Sequence, residues 1–428
     1  MLNILNKNII FFCFGFLLIL HNSKIYCKNI KTYEEFINSN DNFETLNINL
    51  KFLNSKDYDN LNKNLLTFIL MQIERLSNKN YWLNQEIPIL HNEEEDSNNS
   101  KYYVEKQNIN NNFNAIIIGD LHGNYYALEA IIKNLISRQI LNNNLILNNN
   151  YKIIFLGDII DRGTRSIENI LLVMFLKYLN QENVIVLRGN HETLDVSKRY
   201  GFYNELKFFG QDLQDYIFNK FNIMFELLPS AYFLTNKNFN FMFCHGGYSL
   251  INYNEYFLNN DSIKYAIEPD DDNPIMKYGI KSNNLFWSDT DIYSQYNFAT
   301  KNTSRGYKFP LKNIFDVMQL TKITAKFGGH GHTIPKNIFY NTNDLSTAQI
   351  EEYSVGYANK DNVFWIMSGQ IANTDPYSSD NFIPYIKYYP SYLELEIEEK
   401  KYSVSGWSNK NKNIFEKETL WQQEIEQN

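Results

Sequence analysis

Three times in succession along this chain, a short apolar run stops at a cluster of glycine, aspartate, asparagine and histidine. Residues 115–118 lead to Gly119-Asp120-Leu121-His122-Gly123 and then to an amphipathic run at 125–140. Residues 153–156 lead to Gly157-Asp158-Ile159-Ile160-Asp161-Arg162-Gly163 and a helical stretch at 167–179. Residues 184–187 lead to Arg188-Gly189-Asn190-His191-Glu192. Strand, polar loop, helix, strand is the order of a parallel α/β sheet, whose ligands sit beyond the carboxyl ends of its strands. The three clusters are therefore expected to converge on one site.

Later apolar runs at 231–234, 239–243, 323–327, 363–367 and 392–397 read as strands without long helices between them. They predict a second, more mixed sheet packed on the first, which makes the fold class α/β and the architecture two packed mixed β-sheets flanked by helices, an αββα sandwich. A fourth polar cluster, Cys244-His245-Gly246-Gly247, follows the second of these runs.

The 428-residue chain is 44% hydrophobic and 16% aromatic, ample for a large buried core, so disorder throughout is excluded. Its net charge of -8, with no stretch dense in Lys or Arg, excludes a nucleic-acid partner, because a phosphate backbone demands a basic face. The cysteines are Cys13, Cys27 and Cys244, and no disulfide framework can be built from them once the leader is removed.

That leader is expected over residues 1–27. Lys7, an apolar run at 9–20 and the polar His21-Asn22-Ser23-Lys24 follow the order of a secretory signal. About 12 apolar residues are too few for the ~20 that span a bilayer. The expectation is a chain routed into the secretory pathway, secreted or held in a secretory organelle, with no transmembrane span after cleavage. An uncleaved anchor or a buried helix is the alternative. Residues 28–112 are Asn-rich, with a helix-like stretch at 61–76 and an acidic, Asn-rich loop at 92–100. They read as a helical extension packed on a domain at 113–408, and residues 409–428 as a polar tail that frays.

Carboxylate, imidazole and amide oxygen donors at strand ends suit Mn, Fe or Zn, with Asp158 placed to bridge two ions. Two ions roughly 3.5 to 4 Å apart can clamp both the attacking and the leaving oxygen of an in-line displacement and acidify a water. An isolated Asp-x-His is most often a loop carboxylate beside a satisfied histidine. Four clusters in order, each after a strand, point instead to a hydrolase.

These motifs resemble the phosphoprotein phosphatase family of the calcineurin-like metallophosphoesterases, and the likeness runs from about residue 115 to 407. Tyr200-Gly201-Phe202-Tyr203-Asn204-Glu205, residues 225–229, Trp287-Ser288-Asp289 and Arg305-Gly306 resemble that family's segments in the same order. The resemblance implies that Asp120, His122 and Asp158 hold one metal, and Asp158, Asn190, His245 and a late histidine the other. Arg162 and Arg305 would bind phosphate oxygens; a guanidinium supplies planar paired donors and stays charged. His191 would be the general acid on the leaving oxygen, oriented and raised in pKa by Asp161. Arg188 and Glu192 read as structural.

The late histidine departs from the family's usual pattern. Gly329-His330-Gly331-His332-Thr333 is similar to bacterial-type members, which favours His332 as the ligand, whereas a wider Gly-His-x-His reading favours His330. Only Ser368-Gly369-Gln370 stands where the family carries a longer conserved stretch. Together with the leader, these departures resemble the Shewanella-like, bacterial-type branch found in protozoa and plants. Some of its members prefer phosphotyrosine, so serine/threonine and tyrosine specificity both stay open. The expected partner is a phosphoprotein substrate. A nucleotide or other small phosphate ester is the second reading, and a pseudoenzyme that binds a partner is the third.

Overall fold

A computed structural model of the chain describes residues 102–109, 112–246, 263–267, 284–291, 300–302, 306–311, 314, 318–319, 322–329, 357–360, 363–366, 368, 390–411 and 414–424. The leader, the helix expected at 61–76 and the loop at 92–100 lie outside the described residues. With strands numbered in chain order, one sheet has six and is ordered β16 (Ile414–Glu424), β15 (Lys401–Asn411), β14 (Ser391–Ile397), β2 (Phe113–Ile118), β3 (Tyr151–Phe155), β4 (Val184–Val186). A second has seven, in the order β12 (Tyr357–Lys360), β13 (Val363–Ile366), β11 (Ala325–Gly328), β6 (Asn240–Cys244), β5 (Ala231–Thr235), β1 (Tyr102–Asn108), β7 (Ile263–Ile267). A small third sheet holds β8 (Asp289–Asp291), β10 (Gly306–Pro310) and β9 (Thr300–Asn302).

Side-chain alternation explains how the layers assemble. In β2, Ala115 and Ile117 enter one apolar cluster and Ile116 and Ile118 another. β3 and β4 divide likewise, Ile154 and Ile185 on one face, Ile153, Phe155, Val184 and Val186 on the other. A strand buried on both faces must do this, because successive side chains point opposite ways. The first face meets Tyr232, Leu234, Phe241, Phe243, Phe327 and Phe364 of the seven-stranded sheet, so the sheets pack face to face. The second meets helices α1 (Tyr125–Ser137) and α2 (Ser166–Asn180), and α3 (Gln211–Glu226) joins the same cluster. The parallel pairing of β2 with β3 and β3 with β4 brings their carboxyl ends to one edge.

Both ends of the domain differ from expectation. β1 lies before residue 113 yet pairs in parallel with β5 and antiparallel with β7, so it belongs to the sheet rather than to a helical extension. The segment expected to fray instead supplies the end of β15 and all of β16, which pair through Asn411 and Ile414. Phe415, Leu420 and Trp421 are partly buried against the two cores. The hairpin is further anchored by Arg138, which donates to both Glu394 oxygens at 2.8 and 2.9 Å and stacks 3.9 Å over the Trp407 ring. Among the described residues, no helix is long and apolar enough to cross a membrane.

Candidate metal centre and active site

Each described candidate ligand stands just beyond the end of a strand. Asp120 and His122 follow β2, Asp158 follows β3, Asn190 follows β4, and His245 follows β6, so both sheets contribute. All five side chains are buried. Asp158 Oδ2 is central, 3.4 Å from His122 Nε2 and 3.3 Å from His245 Nε2. Asp120 reaches both imidazoles, Oδ2 lying 3.8 Å from His122 Nε2 and Oδ1 3.7 Å from His245 Nδ1. Asn190 Oδ1 is 2.8 Å from His245 Nε2.

The loops reach this arrangement through backbone that few residues adopt. His122, Asp158, Asp161 and Arg162 have φ of 46°, 51°, 70° and 63°. Left-handed conformations at non-glycine residues cost roughly 1 to 3 kcal/mol each and persist only where the surroundings impose them. Gly157 shows how tightly the loops are set: at φ 98°, a Cβ there would fall 2.3 Å from Gly189 N. The Glu192 carboxylate ties the same two loops, accepting from Asp158 N at 2.8 Å, Ile159 N at 2.9 Å and Gly189 N at 2.9 Å. Asp158 O in turn accepts from Leu121 N at 3.0 Å and His122 N at 2.9 Å. Arg188 joins this brace, its Nε donating to Glu192 O at 3.0 Å beside the Phe286 ring.

The imidazoles test whether metal ions fit. His122 Nδ1 lies 3.1 Å from Ile160 O and His245 Nδ1 3.0 Å from Leu156 O. A carbonyl can only accept, so Nδ1 carries a proton in both rings and Nε2 is the atom turned towards Asp158. His122 Nε2 is buried without a hydrogen-bond partner, and burial, aided by Arg162, pushes that imidazole down to about 3. A neutral ring thus aims a lone pair at carboxylates, an arrangement that a cation between them relieves. His245 makes the same point with the opposite sign. Burial works against its charge, yet Asp158 and Asp120 outweigh burial and hold it at about 9, so a proton stands in for a cation there. Asn190 can face this cluster in two ways. With its oxygen inward it accepts from the protonated His245 Nε2 at 2.8 Å; with its nitrogen inward it donates to Asp158, and to His245 Nε2 only once that ring has lost a proton. Among the described residues, two groups have ligand atoms within 4.8 Å of one another, Asp120 with Asp158 and His245, and His122 with Asp158 and His191. Asp158 belongs to both. The oxygen and nitrogen donor set fits two metal ions sharing one carboxylate.

Beside the cluster, His191 Nδ1 lies 2.8 Å from Asp161 Oδ2, and His191 Nε2 is 3.3 Å from Arg162 Nη2 and 4.0 Å from Asp158 Oδ2. The orienting contact expected of Asp161 is present. The expected rise in the His191 pKa is not: burial, together with the positive charges of Arg162 and His245, drives it well below the usual value in spite of Asp158. Asp161 moves the other way, pushed well above the carboxylate range by burial and by Glu192 and Asp158. An ion pair here lacks water on both partners, so the pair favours a proton shared between neutral groups.

His330, His332 and Arg305 lie outside the described residues. Gly329 does not, and a Cβ on it would meet Asp120 Oδ1 at 2.6 Å and His245 Nδ1 at 3.2 Å, so that strand end abuts the cluster. The sequence marked Ser368 only as the remnant of a family stretch and gave it no role; its Oγ accepts from Gly119 N at 2.8 Å and its N–H donates to Asp120 O at 3.0 Å. The signal was a lone serine separated by 249 residues from the glycine it holds.

Fold and centre together define a metallophosphoesterase. The chain belongs to the calcineurin-like phosphoesterase family, whose sequence profile matches residues 113–333, just over half of its 428 residues. Among curated relatives, a protein of Encephalitozoon cuniculi named as a probable serine/threonine-protein phosphatase is 34% identical over 132 residues, 31% of this chain. The match spans 26% of that relative's own length. A solved Saccharomyces cerevisiae protein serine/threonine phosphatase, with similarity to human phosphatase PP5, shares the fold at 19% identity and a TM-score of 0.51, with 92% of this chain and 97% of that one covered. A cold-active protein-tyrosine phosphatase of a psychrophilic Shewanella species is similar at a TM-score of 0.39 and 16% identity, over 74% of this chain and 82% of that one.

Proposed function

We propose that this chain is a metal-dependent phosphoprotein phosphatase that hydrolyses phosphomonoesters on serine, threonine or tyrosine side chains. The observation that carries the reading is the single Asp158 carboxylate oxygen standing within 3.4 Å of two buried imidazole Nε2 atoms, with a histidine and an arginine alongside. Asp120, His122 and Asp158 would hold one metal ion, and Asp158, Asn190, His245 and His332, or else His330, the second. Bound there, a pair of Mn, Fe or Zn ions would supply Lewis acidity and a nucleophile from water at neutral pH.

The remaining work falls to the chain's own side chains. Arg162, half-buried and beside His191, would orient the phosphate oxygens with paired donors, and Arg305 would assist it. His191 would hand a proton from Nε2 to the departing oxygen while Nδ1 takes up the proton it shares with Asp161, so that the ring stays neutral and Asp161 ends as the carboxylate. The named relative supports a phosphoprotein rather than a small ester, and the leader expected at residues 1–27 supports a substrate in the secretory pathway. Turnover of phosphoserine, phosphothreonine and phosphotyrosine peptides beside a mononucleotide and a dinucleoside polyphosphate, in Mn and after chelation, tests the reading. Metal-dependent hydrolysis of phosphopeptides at least tenfold faster than of the nucleotides is expected. The reverse ranking would move the substrate to a small phosphate ester.

A further inference from the structure

We propose that Glu205 is a positioning residue for the Asp161 and His191 pair and acts through the hydroxyl of Ser166. The inference rests on the reading of His191 as the proton donor. Asp161 N–H donates to Ser166 Oγ at 3.1 Å, and Ser166 Oγ donates onward to Glu205 Oε1 at 2.5 Å. The other oxygen, Oε2, accepts from Ser166 N at 2.8 Å and Ile167 N at 3.4 Å. A serine hydroxyl has one proton to give. Because the glutamate takes it, the lone pair of Ser166 is left facing the Asp161 amide, and the chain of donors runs one way.

The same short turn grips the loop twice more. Phe202 N–H donates to Asp161 Oδ1 at 2.9 Å, and Arg162 N–H donates to Tyr200 O at 2.9 Å, while the Tyr200 ring stands edge-on to His191 at 5.2 Å. Asp161 and Arg162 both hold left-handed φ, so their loop keeps its shape only while such contacts over-determine it. Of the carboxylate that orients His191, one oxygen faces the imidazole and the other faces Phe202 N–H, and the amide of the same residue hangs from Ser166. Loosening Glu205 therefore acts on the imidazole through Asp161, with no direct contact to Asp120, His122, Asp158, Asn190 or His245.

A glutamate that merely caps α2 would affect stability and nothing else, so the test compares substrates. The variants Ser166→Ala, Glu205→Gln, their combination and His191→Ala are assayed, Mn-loaded, on a phosphoserine peptide and on nitrophenyl phosphate, with metal content and unfolding midpoint measured for each. Ser166→Ala removes a single atom and safeguards the comparison if Glu205→Gln folds poorly. Ser166→Ala and Glu205→Gln are each expected to slow the peptide about tenfold and nitrophenyl phosphate distinctly less, with metals retained. The double variant is expected to lose no more than the worse single one, because both act on one contact. Equal losses on both substrates, or additive losses in the double variant, overturn the inference if His191→Ala itself discriminates between the substrates. If His191→Ala does not discriminate, the proton-donor reading falls first.

Discussion

His191 Nδ1 lies 2.8 Å from Asp161 Oδ2, and the opposite ring nitrogen lies 3.3 Å from the Arg162 guanidinium. One imidazole thus connects the group that orients it to the group assigned to the phosphate. A proton donor matters most when the departing oxygen is strongly basic. A serine alkoxide is, whereas nitrophenolate, with a pKa of about 7, leaves with little help. His191→Ala is expected to slow a phosphoserine peptide by about 10² to 10⁴ and nitrophenyl phosphate far less, with metal content unchanged. Loss of metal in the variant would instead make His191 a ligand, a role that its proximity to His122 and Asp158 also permits.

Metal uptake should depend on pH in a definite direction. In the metal-free protein Asp158 and Asp120 hold His245 at about 9 against burial, so below that pH the ring must release a proton before Nε2 can ligate. Affinity for Mn is therefore expected to rise about tenfold per pH unit from pH 7 to 8.5 and to level off above about 9. Titration calorimetry in buffers of different ionisation enthalpy should count the released proton. A pH-independent affinity with no proton release would remove His245 from the ligand set.

Glu192 is expected to matter to the fold before it matters to the chemistry. Its carboxylate accepts from four buried amides, and an unsatisfied buried donor costs about 1 to 3 kcal/mol. Glu192→Ala should lower the stability of the metal-free protein by about 3 kcal/mol or more, read by denaturant unfolding. A loss below about 1 kcal/mol would mean that water or a shifted loop replaces the carboxylate.

The two late histidines separate by substitution. His332→Ala is expected to cost more bound metal and more turnover than His330→Ala. The opposite order would assign the wider Gly-His-x-His pattern to this chain.

What could be seen in the sequence follows from what is local. β2, β3 and β4 were legible because each apolar run ends in the Gly-Asp or Gly-Asn step that its loop requires, and the expected convergence of Asp120, Asp158 and Asn190 follows from parallel pairing alone. β1 was not legible: Tyr102–Asn108 carries Glu105 and Lys106, both buried in the fold, and its strand identity comes from partners more than a hundred residues away. β16 escaped for a different reason. It is an edge strand with most side chains exposed, so Ile414–Glu424 has no apolar alternation to reveal it. The His191 pKa direction was missed because the contact with Asp161 can be inferred from a motif, whereas burial of both groups cannot. The contacts of Ser166 and Ser368 were invisible because a lone serine takes its meaning from the amide it meets.

The central claim is that one carboxylate serves two metal ions. Asp158→Asn keeps the shape of that side chain and removes its charge, so metal analysis of the purified variant beside the wild-type chain tests the claim most directly. Two equivalents of metal in the wild type, and loss of both together with hydrolysis of a phosphoserine peptide in Asp158→Asn, are expected. A variant that retains two equivalents and near-normal turnover would contradict it.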